Sequence, residues 1–193
     1  MSSNIVAIVL AAGFSRRFGG PKLAATLTGG ESVVARTLAN IQPVCKNIVV
    51  VTSESNQGYL PAGKFEILIF DQAELGMGAS LAFGIAHIKQ QAKFDGCLVC
   101  LADMPFVQPA VYTKLMGHMT PHKIVLPTFE GRNGNPVGFG SEFFPALESL
   151  SGDLGGRELI RANPGAVVKV PIQDRDILQD IDTPEDLSRL IDG

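Results

Sequence analysis

The chain has 193 residues, of which 46% are hydrophobic and 18% are charged, and this composition fits one globular domain. Its formal net charge of −3 at pH 7 provides no positive field that would attract a nucleic acid. No stretch approaches the roughly 20 apolar residues that span a bilayer, and three cysteines, an odd number, argue against a disulfide framework. We therefore expect a cytoplasmic protein that binds neither nucleic acid nor a membrane, and its modest length favours a monomer.

Short apolar runs rich in β-branched residues recur along the chain and predict buried strands. These runs are residues 5–10, 48–52, 66–70, 97–102, 124–127 and 167–170. Segments with helical spacing separate them, such as Val33, Val34, Leu38 and Ile41 after the first run. Strands that alternate with helices predict an α/β fold with a mostly parallel sheet. In such sheets ligands bind beyond the carboxyl ends of the strands.

Glycine, asparagine and proline cluster late in the chain, in the string GRNGNPVGFG at residues 131–140 and again at residues 152–156. Such clusters are typical of turns and loops. They predict an irregular lobe at about residues 129–165. No linker or repeat divides the chain, so residues 1–193 are expected to form a single domain that includes this lobe.

The first predicted strand leads directly into the string LAAGFSRRFGGPK at residues 10–22. Glycines let backbone N–H groups approach a ligand, and Arg16, Arg17 and Lys22 add three cations, a combination that suits phosphate groups. The string is not a P-loop, because Lys22 follows a proline and precedes a leucine. The alternative is an ordinary strand-to-helix turn with exposed arginines, but three cations in one short loop favour phosphate binding.

Carboxylates follow the fourth predicted strand and precede the last predicted helix. Asp103 ends the fourth strand, whereas Asp180 and Asp182 stand just before Thr183, which is the expected N-cap of the last helix. Mg²⁺ is commonly held by one or two carboxylates together with substrate phosphates. Asp103 and Asp182 are therefore candidate Mg²⁺ ligands. The alternatives are a turn-capping role for Asp103 and a helix-capping role for Asp182.

The string Leu10-Ala11-Ala12-Gly13-x-Ser15-x-Arg17-x-Gly19-x-x-Lys22 resembles the signature of nucleotidyltransferases that move a nucleoside monophosphate from an NTP to a phosphate acceptor. Within these enzymes the chain is most similar to the molybdenum cofactor cytidylyltransferases, and matching stretches extend from the first strand to the last helix. The resemblance implies a Rossmann-like, three-layer α/β sandwich of the nucleotide-diphospho-sugar transferase type. It also implies transfer of CMP from CTP to molybdenum-bound molybdopterin, with pyrophosphate as the second product.

The resemblance also implies roles for individual residues. The implied nucleotide-binding residues are Leu10, Ala11, Ala12, Gly13, Ser15, Arg17, Lys22, Gly76, Gly78, Ser80 and Asp103. The implied catalytic residues are Arg17, Lys22 and Asp103. The implied ligands of Mg²⁺ are Asp103 and Asp182. The implied acceptor-binding residues, all in the predicted lobe, are Asn135, Pro136, Asp153 and Arg157.

Two strings in the sequence indicate which nucleobase the site binds. The string Gly-Met-Gly-x-Ser-Leu from Gly76 resembles the cytidylyltransferase branch, and Ala12 stands where related guanylyltransferases typically have glycine. Both favour cytosine, although Ser80 could instead belong only to a helix start. Alternatives within the fold are a molybdopterin guanylyltransferase and a sugar or polyol phosphate cytidylyltransferase. A different class is a non-catalytic carrier that delivers the finished cofactor, and a molybdoenzyme or its chaperone would then be a protein partner.

Overall fold

The computed structural model describes residues 4–91, 93–152 and 155–192. Over these residues the chain forms one mixed sheet with helices on both faces. The strands are β1 (Ile5–Ala11), β2 (Asn47–Thr52), β3 (Glu66–Ile69), β4 (Gly96–Leu101), β5 (Ile124–Phe129), β6 (Arg132–Asn133), β7 (Val137–Gly140) and β8 (Val167–Pro171). The α-helices are α1 (Val33–Ile41), α2 (Glu54–Gln57), α3 (Met77–Gln91), α4 (Pro109–Met116), α5 (Phe144–Glu148), α6 (Arg157–Ala162) and α7 (Pro184–Asp192).

All strands except β6 and β7 run parallel. β1 lies between β2 and β4, with β3 beside β2 at one edge of the sheet. β7 runs antiparallel between β4 and β5, and β8 pairs with β5 in parallel. Because β6 and β8 both pair with Thr128 of β5, they lie on opposite edges of β5, so β6 shares an edge with β7. The order across the sheet is β3, β2, β1, β4, then β7 with β6, then β5 and β8.

Alternate residues of each central strand face two different apolar layers. Ala7 and Val9 of β1 belong to the cluster formed with α1 and α4, whereas Val6 and Ile8 belong to the cluster formed with α3 and α5. This division confirms the predicted α/β sandwich of three layers. The large core side chains are fully buried, and each such burial is worth about 1.5–3 kcal/mol.

β7 differs from the irregular structure that its glycines predict. Gly138 and Gly140 belong to β7, and they are glycines because neighbours approach closely and not because the chain turns there. A Cβ at Gly140 would lie 2.2 Å from the carbonyl oxygen of Pro121, and one at Gly138 would lie 3.1 Å from the sulfur of Met119. The prediction of irregular structure was therefore wrong for β7, since glycine also allows close packing within a sheet.

The last helix begins as predicted. The hydroxyl of Thr183 accepts a hydrogen bond from the N–H of Asp186 at 3.1 Å, and the carboxylate of Asp186 accepts from the N–H of Thr183 at 2.9 Å. This reciprocal capping fixes the start of α7. α7 then packs through Leu187 and Leu190 against a small cluster with Leu27. Among the described helices, none is both long enough and apolar enough to span a bilayer.

Candidate active site

A cleft of about 740 Å³ opens at the carboxyl ends of β1 and β4, where a parallel sheet is expected to bind its ligands. Most of the residues that the sequence predicts lie along its wall. These are Leu10, Ala11, Ala12, Gly13, Ser15, Arg17, Lys22, Gly76, Ser80, Asp103, Asn135, Arg157 and Asp182. Residues far apart in the chain therefore meet in one cleft.

Gly78 and Pro136 are not on this wall, and Asp153 lies outside the described residues. Gly78 is buried, and its N–H donates to the carbonyl of Gly152 at 2.7 Å. A Cβ at Gly78 would lie 2.8 Å from that oxygen, so glycine here lets α3 pack closely on the neighbouring loop. Pro136 is buried and follows Asn135 through a cis peptide bond. Ligand contacts by these three residues stay predictions.

Asn56 of α2 holds the loop after β1 through two side-chain hydrogen bonds. The side-chain amide of Asn56 donates to the carbonyl of Ala11 at 2.9 Å and to the carbonyl of Gly13 at 3.1 Å. In a planar trans peptide the C=O and the next N–H point in opposite directions. The N–H groups of Ala12 and Phe14 therefore point away from Asn56, and both residues line the cleft.

These amides are available to a ligand. Over the part of the chain that the structure describes, the N–H groups of Ala12, Gly13 and Phe14 donate no backbone hydrogen bond. Successive N–H groups that lack backbone partners can form a concave site that suits an anion. Asn56 was missed by the sequence reasoning, because nothing in its local sequence indicates that its amide reaches the loop.

Two cations and two carboxylates meet beside this loop. The Nζ atom of Lys22 lies 2.7 Å from Oδ2 of Asp103 and 3.1 Å from Oδ1 of Asp182. Arg17 pairs with the other oxygen of Asp182 at 2.8 Å. Burial alone would lower the pKa of Lys22, but Asp103 and Asp182 more than offset this effect and raise that pKa. The side chain of Lys22 therefore stays protonated inside the cleft. The side chain of Arg17 is largely exposed.

The second oxygen of Asp103, Oδ1, is buried and has no hydrogen-bond partner among the described residues. Burial raises the pKa of Asp103, and the ammonium of Lys22 opposes part of that rise. Carboxylate oxygens of Asp103, Asp180 and Asp182 lie within 4.8 Å of one another. Oxygen ligands of this kind suit Mg²⁺ or Mn²⁺, and an unpartnered buried carboxylate oxygen is what such an ion would satisfy. The residues present therefore fit a divalent cation.

The backbone around Asp103 is held by buried side chains of α1. The hydroxyl of Thr37 donates to the carbonyl of Ala102 at 3.0 Å, and the amide of Asn40 donates to the carbonyl of Pro105 at 2.9 Å. These bonds fix the turn on both sides of Asp103. Thr37 and Asn40 were also missed by the sequence reasoning, because they look like ordinary polar residues of an amphipathic helix.

A backbone hydrogen bond also joins the segment that carries Asp103 to the segment that carries Asp180 and Asp182. The N–H of Ile181 donates to the carbonyl of Asp103 at 3.0 Å, so the residues on either side of Ile181 lie next to Asp103. Capping of α7 is done by Thr183 and Asp186, and the carboxylate of Asp182 instead faces Lys22 and Arg17. The helix-capping alternative for Asp182 is therefore wrong.

The N-terminal turn of α3 forms another part of the wall. Gly76 has a φ of 92°, which favours glycine and directs the chain into the helix. Ser80 is buried, lines the cleft, and its N–H bonds the carbonyl of Gly76 at 3.4 Å. Met77 and Glu74 also line this side, although the sequence had not singled them out.

The lobe after β5 forms the far end of the cleft. The N–H of Asn135 donates to the carbonyl of Ile177 at 2.8 Å, and a Cβ at Gly134 would lie 2.4 Å from the same oxygen. Glycine at 134 therefore allows the turn that brings Asn135 to the cleft. Arg132 and Asn133 of β6 line the same end. Sequence reasoning missed both, since the string that contains them indicated only a turn.

Two relatives align with nearly the whole chain, and a third aligns with about half of it. Purine catabolism protein PucB of Bacillus subtilis is 28% identical, with 96% of this chain and 95% of that protein aligned. Nicotine blue oxidoreductase of Paenarthrobacter nicotinovorans is 27% identical over 97% of this chain and 96% of that protein. A probable molybdenum cofactor guanylyltransferase of Chloroflexus aggregans is 32% identical over 56% of this chain and 50% of that protein.

Solved structures share the fold over the whole chain. Rv0371c from Mycobacterium tuberculosis superposes with a TM-score of 0.88 at 23% identity, covering 100% of both chains. A complex of Rv0371C with manganese superposes with a TM-score of 0.84 at 21% identity, covering 99% of this chain and 100% of that one. These likenesses confirm the predicted Rossmann-like α/β fold.

A family model settles the enzyme class. Residues 7–167 match the model of the MobA-like NTP transferase domain, which is most of the chain and includes the glycine-rich loop and Asp103. This match confirms the nucleotidyltransferase prediction that the resemblance implied. The chain belongs to the MobA-like NTP transferase domain family, and it is a nucleotidyltransferase.

Proposed function

We propose that the enzyme transfers CMP from CTP to the phosphate of a molybdopterin-type acceptor and releases pyrophosphate. The observation that carries this proposal is the meeting of Lys22 and Arg17 with Asp103 and Asp182, next to loop amides that donate no backbone hydrogen bond within the described ranges. Cations and backbone donors in one cleft suit a triphosphate. The carboxylates beside them suit the Mg²⁺ that accompanies a triphosphate.

In the proposed reaction a phosphate oxygen of the acceptor attacks the α-phosphorus of CTP in line. The bond from that phosphorus to the bridging oxygen breaks, and pyrophosphate leaves with the electron pair. Lys22 and Arg17 balance negative charge on the triphosphate, and the amides of Ala12 and Phe14 orient its oxygens. An acceptor phosphate is already ionised at neutral pH, so no general base is required.

Asp103 and Asp182 are the proposed ligands of Mg²⁺, with Asp180 close enough to assist. When bound, the ion would neutralise charge on the phosphates. The hydrogen bonds from Thr37 to the carbonyl of Ala102 and from Asn40 to the carbonyl of Pro105 hold the backbone around Asp103. The carboxylate of Asp103 therefore needs little rearrangement to bind Mg²⁺.

The choice of CTP rests on the loop and on the start of α3. Ala12 lines the cleft where the guanylyltransferase-like pattern has glycine, and Ser80 offers a hydroxyl to a base edge. The molybdopterin acceptor is supported by the relative named as a probable molybdenum cofactor guanylyltransferase. We propose that the lobe at about residues 129–165 binds this acceptor, with Asn135 and Arg157 of the cleft wall in contact with it.

Thermal unfolding with Mg²⁺ and CTP, GTP, ATP or UTP tests which nucleotide the enzyme binds. A ligand at about 100 times its dissociation constant stabilises a fold by roughly 2.7 kcal/mol, which corresponds to a rise in Tm of several degrees. We expect CTP to stabilise the protein most. Preference for GTP would instead indicate a guanylyltransferase, and no response to any nucleotide would favour the carrier alternative.

Turnover measurements test the role of the Asp103 carboxylate in catalysis. Pyrophosphate release from CTP and molybdenum-bound molybdopterin should fall at least about 100-fold in Asp103→Asn, because the ligand charge is lost. Asp95→Asn is the matched control, since Asp95 stands before the amino end of β4 and its carboxylate accepts only the N–H of Asn4 among the described residues. Normal release by Asp103→Asn would contradict the assignment.

A further inference from the structure

The carboxylates that fit a divalent cation already hold two cations of the chain itself. The ammonium of Lys22 bridges Asp103 and Asp182, at 2.7 Å from Oδ2 of the first and 3.1 Å from Oδ1 of the second. Arg17 contacts Oδ2 of Asp182 at 2.8 Å. Of the four oxygens of these two carboxylates, only Oδ1 of Asp103 has no partner among the described residues. A divalent cation therefore has to compete with Lys22 for both carboxylates.

The two internal cations differ in exposure. The side chain of Lys22 is 11% exposed, whereas that of Arg17 is 76% exposed. Because water and salt screen an exposed ion pair far more than a buried one, Lys22 is the stronger of the two counter-ions. The backbone at Lys22 is held in place, since Lys22 begins a short 3-10 helix, Lys22–Ala24, whose Leu23 is buried in the core. The ammonium therefore changes partners by rotation of its own side chain.

A triphosphate in the same cleft offers Lys22 and Arg17 new partners. Both side chains line the cleft beside the loop amides that donate no backbone hydrogen bond within the described ranges. Phosphate oxygens are charged acceptors that bind the side chains of lysine and arginine strongly. The triphosphate assigned to this loop therefore competes with Asp103 and Asp182 for the same two cations.

We propose that Lys22 and Arg17 close the divalent-cation site of the free enzyme, and that the triphosphate opens it. This inference rests on the proposed function. When the nucleotide binds, both side chains exchange their carboxylate partners for phosphate oxygens, which leaves Asp103 and Asp182 free for the divalent cation. The charge of the site stays balanced, because each carboxylate faces a cation before and after the exchange. Nucleotide and divalent cation then bind with positive coupling, and each raises the affinity for the other by the same factor.

Nucleotide binding without metal separates this exchange from a general effect of charge. In Asp182→Asn, Lys22 and Arg17 lose a charged partner, so both become more available to phosphates. Asp180→Asn removes the same formal charge from the cleft wall, but among the described residues Asp180 forms no ion pair with either cation. Asp180→Asn is therefore the matched control.

The test is calorimetric titration of CTP into each protein, once with EDTA and once with saturating Mg²⁺. With EDTA we expect the Kd of Asp182→Asn to be about tenfold lower than that of the native protein, and the Kd of Asp180→Asn to fall by less than about threefold. With Mg²⁺ the order should reverse, because Asp182→Asn has lost a ligand of the cation. Equal gains for the two variants with EDTA, or weaker binding by Asp182→Asn, would overturn the proposal.

Titration of the free enzyme with Mn²⁺ gives a second measurement. Without nucleotide, Lys22→Gln should bind Mn²⁺ about tenfold more tightly than the native protein, and Arg17→Gln should gain less, because the pairing of Arg17 is more exposed. The same Mn²⁺ affinity in all three proteins would overturn the proposal. If the native protein binds no nucleotide with either EDTA or Mg²⁺, the proposed function fails, and this inference fails with it.

Discussion

Asn56 is expected to control nucleotide affinity without touching the nucleotide. Its amide donates to the carbonyls of Ala11 and Gly13 at 2.9 and 3.1 Å, and these bonds turn the next N–H groups toward the cleft. In Asn56→Ala both bonds are lost, so the carbonyl of Gly13 loses this partner and the carbonyl of Ala11 keeps only the longer bond from the hydroxyl of Thr52 at 3.4 Å. The triphosphate must then order the loop when it binds.

The expected loss of CTP affinity follows from the two hydrogen bonds that Asn56 donates. Each net hydrogen bond is worth about 0.5–1.5 kcal/mol, so their loss together amounts to about 1–3 kcal/mol. Since every 1.4 kcal/mol corresponds to a factor of ten in affinity, we expect the Kd for CTP to rise about 5- to 150-fold. In Asn56→Asp the rise should be larger, because a carboxylate would face two carbonyl oxygens.

The assay is calorimetric titration of CTP in the presence of Mg²⁺, together with turnover at saturating CTP. Asn47→Ala is the matched control, because its amide donates to Asn4 and to the carbonyl of Ile5 at 3.1 and 3.4 Å at the opposite end of the sheet. The Asn47 variant should bind CTP normally. Equal affinity in the native and Asn56→Ala proteins would refute the reasoning about the loop.

Three further predictions concern other parts of the site. Lys22→Met should bind Mn²⁺ more tightly than the native protein without nucleotide, measured by titration, because an ammonium no longer competes for the carboxylates; unchanged affinity would contradict this. Burial and Asp174 raise the pKa of Asp176 to about 6, so the folded state favours its protonated form. Urea unfolding should therefore show stability falling by no more than about 1 kcal/mol between pH 4 and 6, since Asp176 is partly exposed, and Asp176→Asn should lack this slope. Gly134→Ala should lower the free energy of unfolding by about 1–3 kcal/mol in the same assay, because the added Cβ clashes with the carbonyl of Ile177; an unaltered value would contradict the close contact.

Much of the fold is readable from local pattern. Buried parallel strands are nearly continuous apolar runs, and every run that the sequence predicted as a strand overlaps one in the structure. Two strands were missed, β6 and β7. β7 is rich in glycine, and a glycine that permits close packing looks the same in sequence as one that permits a turn. Pattern alone therefore identifies elements that bury large side chains better than elements that pack backbone against backbone.

Within the sequence alone, the resemblance of the loop after β1 to a nucleotidyltransferase signature indicated the enzyme class, and most of the residues that it implied line the cleft. The loop is readable because it keeps its glycines and cations within a few residues of one another. Only the tertiary structure decided which distant groups act on that loop. The bond from Asn56 to Gly13 spans 43 residues, and the contact from Lys22 to Asp182 spans 160. The first depends on the strand order, which places β2 beside β1 and so brings the segments after these strands to one edge. The second also depends on the backbone bond from Ile181 to Asp103, which holds the segment before α7 next to the end of β4.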